Sequence, residues 1–276
     1  TLEKLVISLF IIYLERVLDC KLPVGWDSYA KNMVIGYTTS IDEMKKNSEK
    51  EREYRVYKSG NCMSFLDNLM NSYLYSELFD ELSMKVYQAL RADVELKKLP
   101  VESYVSCGVF AGIDELLIQW MIERLELEDV STKVGNSTIS QLVKQRRQMH
   151  FGKQYRIEYF VIQNAWNIIS NAKYVSSASL NEMVNNYTNE YYKMDRYYRY
   201  FYYYLDQLED HTKFDNLKEL VENIYANDYL AKVCTNWNHL FCTEVDSLQI
   251  GKQMDFFSRN IQYAKDQIVV IISDAL

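Results

Sequence analysis

The sequence predicts a mainly α protein, and three observations support this fold class. The 276 residues include only eight Gly and two Pro, whereas β-sandwiches and barrels need frequent turns. Apolar residues recur at spacings of three and four over long stretches, as expected for helices with one buried face. With 48% apolar and 25% charged residues, the composition is that of a globular protein. We therefore expect multi-helix, bundle-like domains.

Residues 1–135 are predicted to form an N-terminal helical region. Its first segment, TLEKLVISLFIIYLERVLD, is apolar on nearly all faces, which is typical of a helix buried in a larger assembly. The apolar run within it is too short to span a bilayer, because a spanning helix needs about 20 apolar residues. Short strands or a linker are expected within 30–62, where the charged stretch 45–58 lacks a core-forming stripe. The segment GIDELLIQWMIERLEL (112–127) is predicted to form a further helix.

Residues 136–265 are predicted to form a region of long helices. The patterns TISQ at Thr138 and SLNE at Ser179 have the form of capping boxes, and each opens a long helical run. Gly152 is the expected break in the first run. Asp215 is the expected N-cap of a later helix.

Only the last residues change character. Five successive β-branched residues, Ile268–Ile272, form an all-apolar run, which is typical of a strand in a parallel sheet covered on both faces. Because one strand cannot form a sheet alone, we expect residues 266–276 to begin a second, truncated α/β domain. Asp274 then lies at the carboxyl end of that strand, where open α/β sheets place their ligands. The alternative is that Asp274 caps a helix.

Charge and motifs exclude several kinds of site. The formal net charge of −7 argues against bulk attraction to nucleic acid or to anionic membranes. The three histidines, His150, His211 and His239, lie in separate segments, and neither a zinc-binding spacing nor a phosphate-binding glycine loop occurs. The five scattered cysteines predict free thiols in a cytoplasmic protein. No catalytic residue is predicted within this segment.

A basic run, KQRRQMHFGK (144–153), is the first candidate site. Arg146, His150 and Lys153 recur at i, i+4 and i+7, so we expect them on one face of a helix. Together with Arg147 they are candidate contacts to phosphate, nucleic acid or a partner protein. The alternative is an ordinary solvated face, or pairing of these residues with acidic residues elsewhere in the chain.

A tyrosine-rich helix, EYYKMDRYYRYFYYYLDQL (190–208), is the second candidate. One interpretation is base stacking on its aromatic rings, beside Lys193, Arg196 and Arg199. The other is packing among helices, because one helical stripe carries residues suited to a core. That stripe consists of Met194, Tyr198, Phe201 and Leu205.

Several segments occur in an order that resembles the PglZ (type A) family of BREX bacteriophage-defence systems. They are LEKLVISLF, FAGIDELLIQWM, RRQMH, YYKMDRYYRYFYYYLDQL, LVENIYANDYL followed by Trp237, and VVIISDAL. The resemblance implies that the last segment is the first strand of an alkaline-phosphatase-like domain and that Asp274 is a metal ligand. The nucleophile and the other ligands of that superfamily would lie beyond these 276 residues.

The resemblance implies that the parent protein is a metal-dependent phosphoesterase whose divalent metal is zinc. A nuclease is one kind of phosphoesterase that would fit. This segment would be its helical scaffold, inactive and without a cofactor alone. Its partners would be other BREX proteins in the cytoplasm, and it would not bind a membrane. The alternative is a nucleic-acid-binding helical domain that uses the 144–153 basic face and the tyrosine-rich helix.

Overall fold

A computed structural model describes residues 2–18, 22–23, 25–26 and 60–271. Its α-helices are α1 (Leu2–Val17), α2 (60–70), α3 (Ser76–Ala89), α4 (Ala92–Glu95), α5 (Val101–Tyr104), α6 (Ala111–Glu126), α7 (Ile139–Arg146), α8 (Arg156–Ser170), α9 (Leu180–Asn186), α10 (Tyr192–Leu205), α11 (Asp215–Asn223), α12 (Ala231–Glu244) and α13 (Phe256–Asn260). Two π-helical segments, Tyr187–Tyr191 and Ile224–Leu230, precede α10 and α12. The charged stretch 45–58 and Asp274 lie outside the described residues.

The mainly α prediction is confirmed. Within the described ranges, strands are limited to one short antiparallel hairpin, in which β1 (Lys133–Val134) pairs with β2 (Ser137–Thr138). Gly135 sits in its turn with a φ of +58°, a backbone conformation that residues with a Cβ rarely adopt. The hairpin leads directly into α7.

Contacts between residues divide the chain into two compact units. The first comprises 1–172 and 194–226, and the second comprises 173–193 and 227–276. The predicted domain limits at 135 and 265 are drawn from the order of motifs along the chain, whereas this division follows contacts between residues. The two therefore differ, and the predicted limits stay a prediction. Each unit is described by itself below.

The first unit is built around α6. Helices α3, α8 and α11 pack on α6, so apolar residues all along this helix are buried. On α1, Phe10 stacks on Phe79 of α3 at 5.8 Å and on Phe110 at 5.5 Å between ring centroids. One stripe of α1, formed by Ile7, Phe10, Ile11 and Leu14, lies in the core, and burial extends beside it to Tyr13.

The expected caps and the expected break are found around α7. The hydroxyl of Thr138 accepts a hydrogen bond from the Gln141 amide, and the Gln141 side chain accepts one from the Thr138 amide, which completes the capping box. The helical run ends at Arg146 and resumes at Arg156. Gly152 lies in this break. The position requires glycine, because a Cβ there would stand 1.8 Å from the carbonyl oxygen of Arg146.

The second unit has a small core. Leu180, Met183 and Leu240 pack together, with Trp237 and Leu248 beside them. The hydroxyl of Ser179 accepts a hydrogen bond from the Glu182 amide at 3.2 Å, so the predicted cap at the start of α9 is present. On α12, the side-chain oxygen of Asn236 accepts bonds from the hydroxyl of Tyr174 and the amide of Ser177.

One local prediction is wrong, and a second, the strand predicted for the terminal run, is not formed in its described part, so its place in a further domain stays a prediction. Asp215 is the first residue of α11 rather than its N-cap, and its side chain makes no capping hydrogen bond because the 3₁₀ turn Thr212–Phe214 already leads into the helix. The described part of the terminal apolar run, 268–271, forms no strand, and its side chains are exposed. A strand needs a neighbour for its backbone hydrogen bonds, and the described residues supply none to this run.

Candidate functional site

The structure buries Arg146, the first residue of the predicted basic face. Its Nε and one terminal nitrogen donate to the two carboxylate oxygens of Asp114 on α6, at 2.9 and 2.7 Å. The other terminal nitrogen donates to the carbonyl oxygens of Val105 and Cys107, at 3.2 and 2.7 Å. The hydroxyl of Tyr159 on α8 donates to Asp114 at 2.5 Å. We call Asp114, Arg146 and Tyr159 the buried ion-pair cluster.

The buried ion-pair cluster joins three helices and the 105–107 segment. Arg146 and Asp114 are both fully buried, so nothing in the cluster is open to a ligand. Burial raises the pKa of the Tyr159 hydroxyl far above its usual range, and the nearby Asp114 carboxylate raises it further. The donors and acceptors satisfy one another, which is the arrangement a buried charge pair requires.

The basic run does not form one helix face. Because α7 ends at Arg146, His150 and Lys153 leave the helical register that the i, i+4, i+7 spacing predicted. The Nε2 atom of His150 lies 2.7 Å from a carboxylate oxygen of Asp80, and its ring packs edge-on against Phe79 and Phe151. Contact of the run with phosphate therefore stays a prediction, and Arg146 has no exposed atoms to contribute to it.

Arg147 and Lys153 remain available. Lys153 is exposed and forms no ion pair with any described residue. The guanidinium of Arg147 lies over the ring of Phe160 at 3.7 Å from its centroid, and that of Arg156 lies 5.4 Å from the same centroid. Neither arginine is paired with a carboxylate in the described part of the chain.

Aromatic rings continue from Phe160 onto the tyrosine-rich helix. Tyr204 stacks on Phe160 with centroids 4.4 Å apart and ring planes 10° apart. Tyr200 follows one turn earlier on α10, 6.1 Å from Tyr204. We call Arg147, Arg156, Phe160, Tyr200 and Tyr204 the arginine–aromatic stack. Of these, the sequence singled out only Arg147 and the tyrosine helix as a whole.

The sequence held a signal for this stack. Arg156 and Phe160 are four residues apart, as are Tyr200 and Tyr204, so each pair lies on one face of its helix. What the sequence did not contain was the packing of α8 beside α10, which brings the two pairs together.

The inner stripe of the tyrosine-rich helix is a packing surface, as the structural interpretation predicted. Met194, Phe201 and Leu205 are buried, and Tyr198 stacks on Tyr225 of the π-helical segment at 3.8 Å. The hydroxyl of Tyr202 donates to the carboxylate of Glu222. Here the rings of half-buried tyrosines pack while the hydroxyl of Tyr202 finds an acidic partner, which is a common role of tyrosine at the edge of a core.

The structure gives no site for a metal among the residues it describes. No group of three or more His, Cys, Asp or Glu side chains in these ranges could hold an ion, and Asp274 lies outside them. One open depression of about 440 Å³ in the second unit is lined by Lys232, Asn236 and His239 with small neighbours. No helix in the described ranges is both long enough and apolar enough to cross a membrane.

Comparison with known proteins confirms the resemblance seen in the sequence. The chain is 24% identical over 229 residues to the alkaline phosphatase-like protein PglZ of Bacillus cereus (strain H3081.97), an alignment that covers 78% of the chain and 26% of that protein. It is 28% identical over 227 residues to the alkaline phosphatase-like protein BrxZ of Escherichia coli O9:H4 (strain HS), covering 73% and 25%. The chain thus spans about a quarter of the length of these relatives. No family model and no solved structure matches it.

Proposed function

From the relation of this chain to PglZ-like proteins, we propose that it is a helical scaffold that holds the phosphatase-like part of a BREX defence protein. The relatives are named for alkaline phosphatase, yet the chain aligns with only about a quarter of each. Its described residues form packed helices, and no group of three or more His, Cys, Asp or Glu side chains among them could hold a metal ion. A scaffold that positions a separate reacting domain fits both facts.

The observation that carries this proposal is an apolar surface at the end of the second unit. Between residues 250 and 271, many large apolar side chains are exposed. They are Ile250, Met254, Phe256, Phe257, Tyr263 and Ile268–Ile271. So many exposed apolar side chains within one segment are typical of a region that another domain or a partner protein covers.

The all-apolar run within that surface supports a particular cover. Val269 and Ile271 alternate with Ile268 and Val270 along the chain, so an extended run would present apolar side chains on both faces. Such a strand is stable only inside a sheet with layers on both sides. The proposal is that a phosphatase-like domain supplies the neighbouring strands.

The activity of the whole protein is part of the same proposal. We expect hydrolysis of a phosphate ester with a divalent metal, zinc, which would polarise the phosphoryl oxygen. The resemblance assigns Asp274 as one ligand, and one carboxylate does not make a site, so no step of the reaction is assigned to this chain. Other BREX proteins of the cytoplasm are the proposed partners.

Hydrogen exchange tests the scaffold role. The amides of residues 268–271 should exchange without protection in this chain. When the same residues are followed by a phosphatase-like domain in one polypeptide, they should exchange at least about 100-fold more slowly, because the run becomes a central strand. Equal exchange in both proteins would contradict the proposal.

An activity assay tests the division of labour. With bis-p-nitrophenyl phosphate and added zinc, the chain alone should show no metal-dependent hydrolysis, and Asp274→Ala should change nothing. The longer protein should hydrolyse the substrate and lose that activity in Asp274→Ala. Turnover by the chain alone that Asp274→Ala abolishes would sink the scaffold role.

A further inference from the structure

The arginine–aromatic stack has a layered geometry. A guanidinium 3.7 Å from the Phe160 centroid and a tyrosine ring 4.4 Å from it cannot share one face of that ring without overlapping. Arg147 and Tyr204 therefore lie on opposite faces of Phe160. The layers run from a cation through two nearly parallel rings to Tyr200, a residue that is 47% exposed.

The charges at one end of these layers are not neutralised within the described chain. Arg147 and Arg156 approach the same ring, and no described carboxylate pairs with either. The Nε atom of Arg147 is buried without a hydrogen-bond partner among the described residues. Burial lowers the pKa of the Arg147 guanidinium, and the charge of Arg156 lowers it further. An anion placed beside the two guanidiniums would relieve the repulsion between them.

Two acids, one two residues from Arg156 and one in contact with its neighbour Tyr155, are already engaged. Glu158 on α8 pairs with Lys213 at 3.6 Å, and Glu115 on α6 accepts a hydrogen bond from the hydroxyl of Tyr155 at 2.8 Å. The protein thus leaves two adjacent arginines open despite a net charge of −7. Acidic residues outnumber basic ones in the chain, but none of the described ones neutralises this pair of arginines.

A second tyrosine stack shows what purely structural packing looks like in this unit. Tyr198 and Tyr225 stack at 3.8 Å, and the hydroxyl of Tyr225 donates to Asp195 at 2.8 Å. That stack is bordered by carboxylates, whereas the arginine–aromatic stack combines unpaired arginines with an exposed ring. The difference in charge separates a packing element from a surface suited to an anionic ligand with flat rings.

We propose that the arginine–aromatic stack binds single-stranded nucleic acid, with phosphates at Arg147 and Arg156 and a base stacked on Tyr200. Positive charge along the backbone and aromatic rings for the bases are the two features that sequence-tolerant single-strand sites share. The inference goes beyond the scaffold role and does not depend on it.

Fluorescence anisotropy with a labelled oligothymidylate of about 12 nucleotides tests the site. Two phosphate contacts predict that log K falls with log salt concentration at a slope of about −1.4, from about −0.7 per contact on a single strand. Arg156→Gln should weaken binding and reduce the size of the slope by about 0.7. Tyr200→Ala should weaken binding about fivefold or more and leave the slope unchanged, because stacking releases no counterion.

Arg259→Gln is the matched control. It removes the same charge from an exposed arginine of the second unit, which pairs with Asp255 at 3.5 Å, and should leave affinity and slope unchanged. Thermal melting followed by circular dichroism separates binding from folding. Arg156 and Tyr200 are exposed, so their variants should melt with the wild type. A slope change without a melting change is not expected of a structural residue.

Competitors distinguish the ligand classes. Unlabelled oligothymidylate should displace the label, whereas thymidine monophosphate at equal nucleotide concentration should do so far less well. If the mononucleotide competes equally, the strand is not what the site recognises, and the proposal fails. If inorganic polyphosphate competes equally, base stacking is refuted. No binding at about 50 mM salt would also overturn the proposal.

Discussion

Replacing Arg146 should lower the stability of the first unit far more than replacing its neighbour Arg147. In Arg146→Met, a shorter, unbranched apolar side chain replaces that of Arg146 and leaves the Asp114 carboxylate buried without its cation. The carboxylate then keeps only the hydroxyl of Tyr159, and the carbonyl oxygens of Val105 and Cys107 lose their donor.

The magnitude follows from burial. Both members of the pair are fully buried, and breaking such a pair by removing one partner costs about 3–5 kcal/mol. A free energy change of about 4 kcal/mol, with an unfolding slope of about 2–3 kcal/mol per molar urea, lowers the urea midpoint by about 1.5 M. Arg147→Met removes a half-buried cation from an aromatic ring, which is worth about 0.5–2 kcal/mol and should shift the midpoint by at most about half as much.

Urea unfolding followed by circular dichroism measures both shifts. A variant that carries Arg146→Met, Asp114→Leu and Tyr159→Phe tests the cause, because it removes every charge and hydroxyl of the buried ion-pair cluster together. Apolar replacement of a whole buried ion pair is often neutral, so this variant should be more stable than Arg146→Met alone. If Arg146→Met shifts the midpoint no further than Arg147→Met, the reasoning is refuted.

Other predictions concern backbone, cap and thiol. Gly152→Ala should cost about 3 kcal/mol or more in urea unfolding, because a Cβ would stand 1.8 Å from a backbone oxygen, whereas Gly108→Ala, whose Cβ would meet a methionine sulfur at 3.8 Å, should be tolerated. Thr138→Ala should cost about 1 kcal/mol by breaking the capping box, and Thr138→Ser should restore most of it. The buried thiol of Cys107 should stay inert to Ellman's reagent near neutral pH while the exposed thiols of α12 react, and equal rates would contradict its burial. Burial raises the pKa of Cys107 to about 12, so its contribution to stability is complete below the unfolded pKa of about 8.5 and is lost as pH rises toward the folded value, which urea midpoints of wild type and Cys107→Ala would show.

Helical periodicity predicted the packing of this protein well. The stripe on α10 is an example, since Met194, Phe201 and Leu205 recur at core spacing and are buried. The capping box at Thr138 was equally readable because its hydrogen bonds lie within four residues. Properties that depend on local spacing are encoded locally, so a single sequence suffices to find them.

The candidate site was less predictable because it depends on where helices end and what they meet. A spacing of four between Arg146 and His150 predicts a shared face only while the helix continues, and here it ends at Arg146. Nothing in the basic run shows that Asp114, 32 residues earlier, holds one of its arginines. The pairing is a tertiary contact, and a single sequence does not reveal which acid meets which base.

Arg146 and Arg147 are neighbours in one basic motif, yet the first is a buried structural residue and the second is partly exposed. Arg146 turns into the core, where Asp114 fixes the end of α7, and Arg147 points to Phe160 on α8. The buried pair therefore holds the backbone from which Arg147 reaches the aromatic ring. If this is so, the variant with an apolar replacement of the whole buried ion-pair cluster should fold and still bind oligothymidylate, because α7 remains anchored. Binding lost in that variant with folding intact would contradict this anchoring, because it would show that apolar packing alone does not hold Arg147 in place.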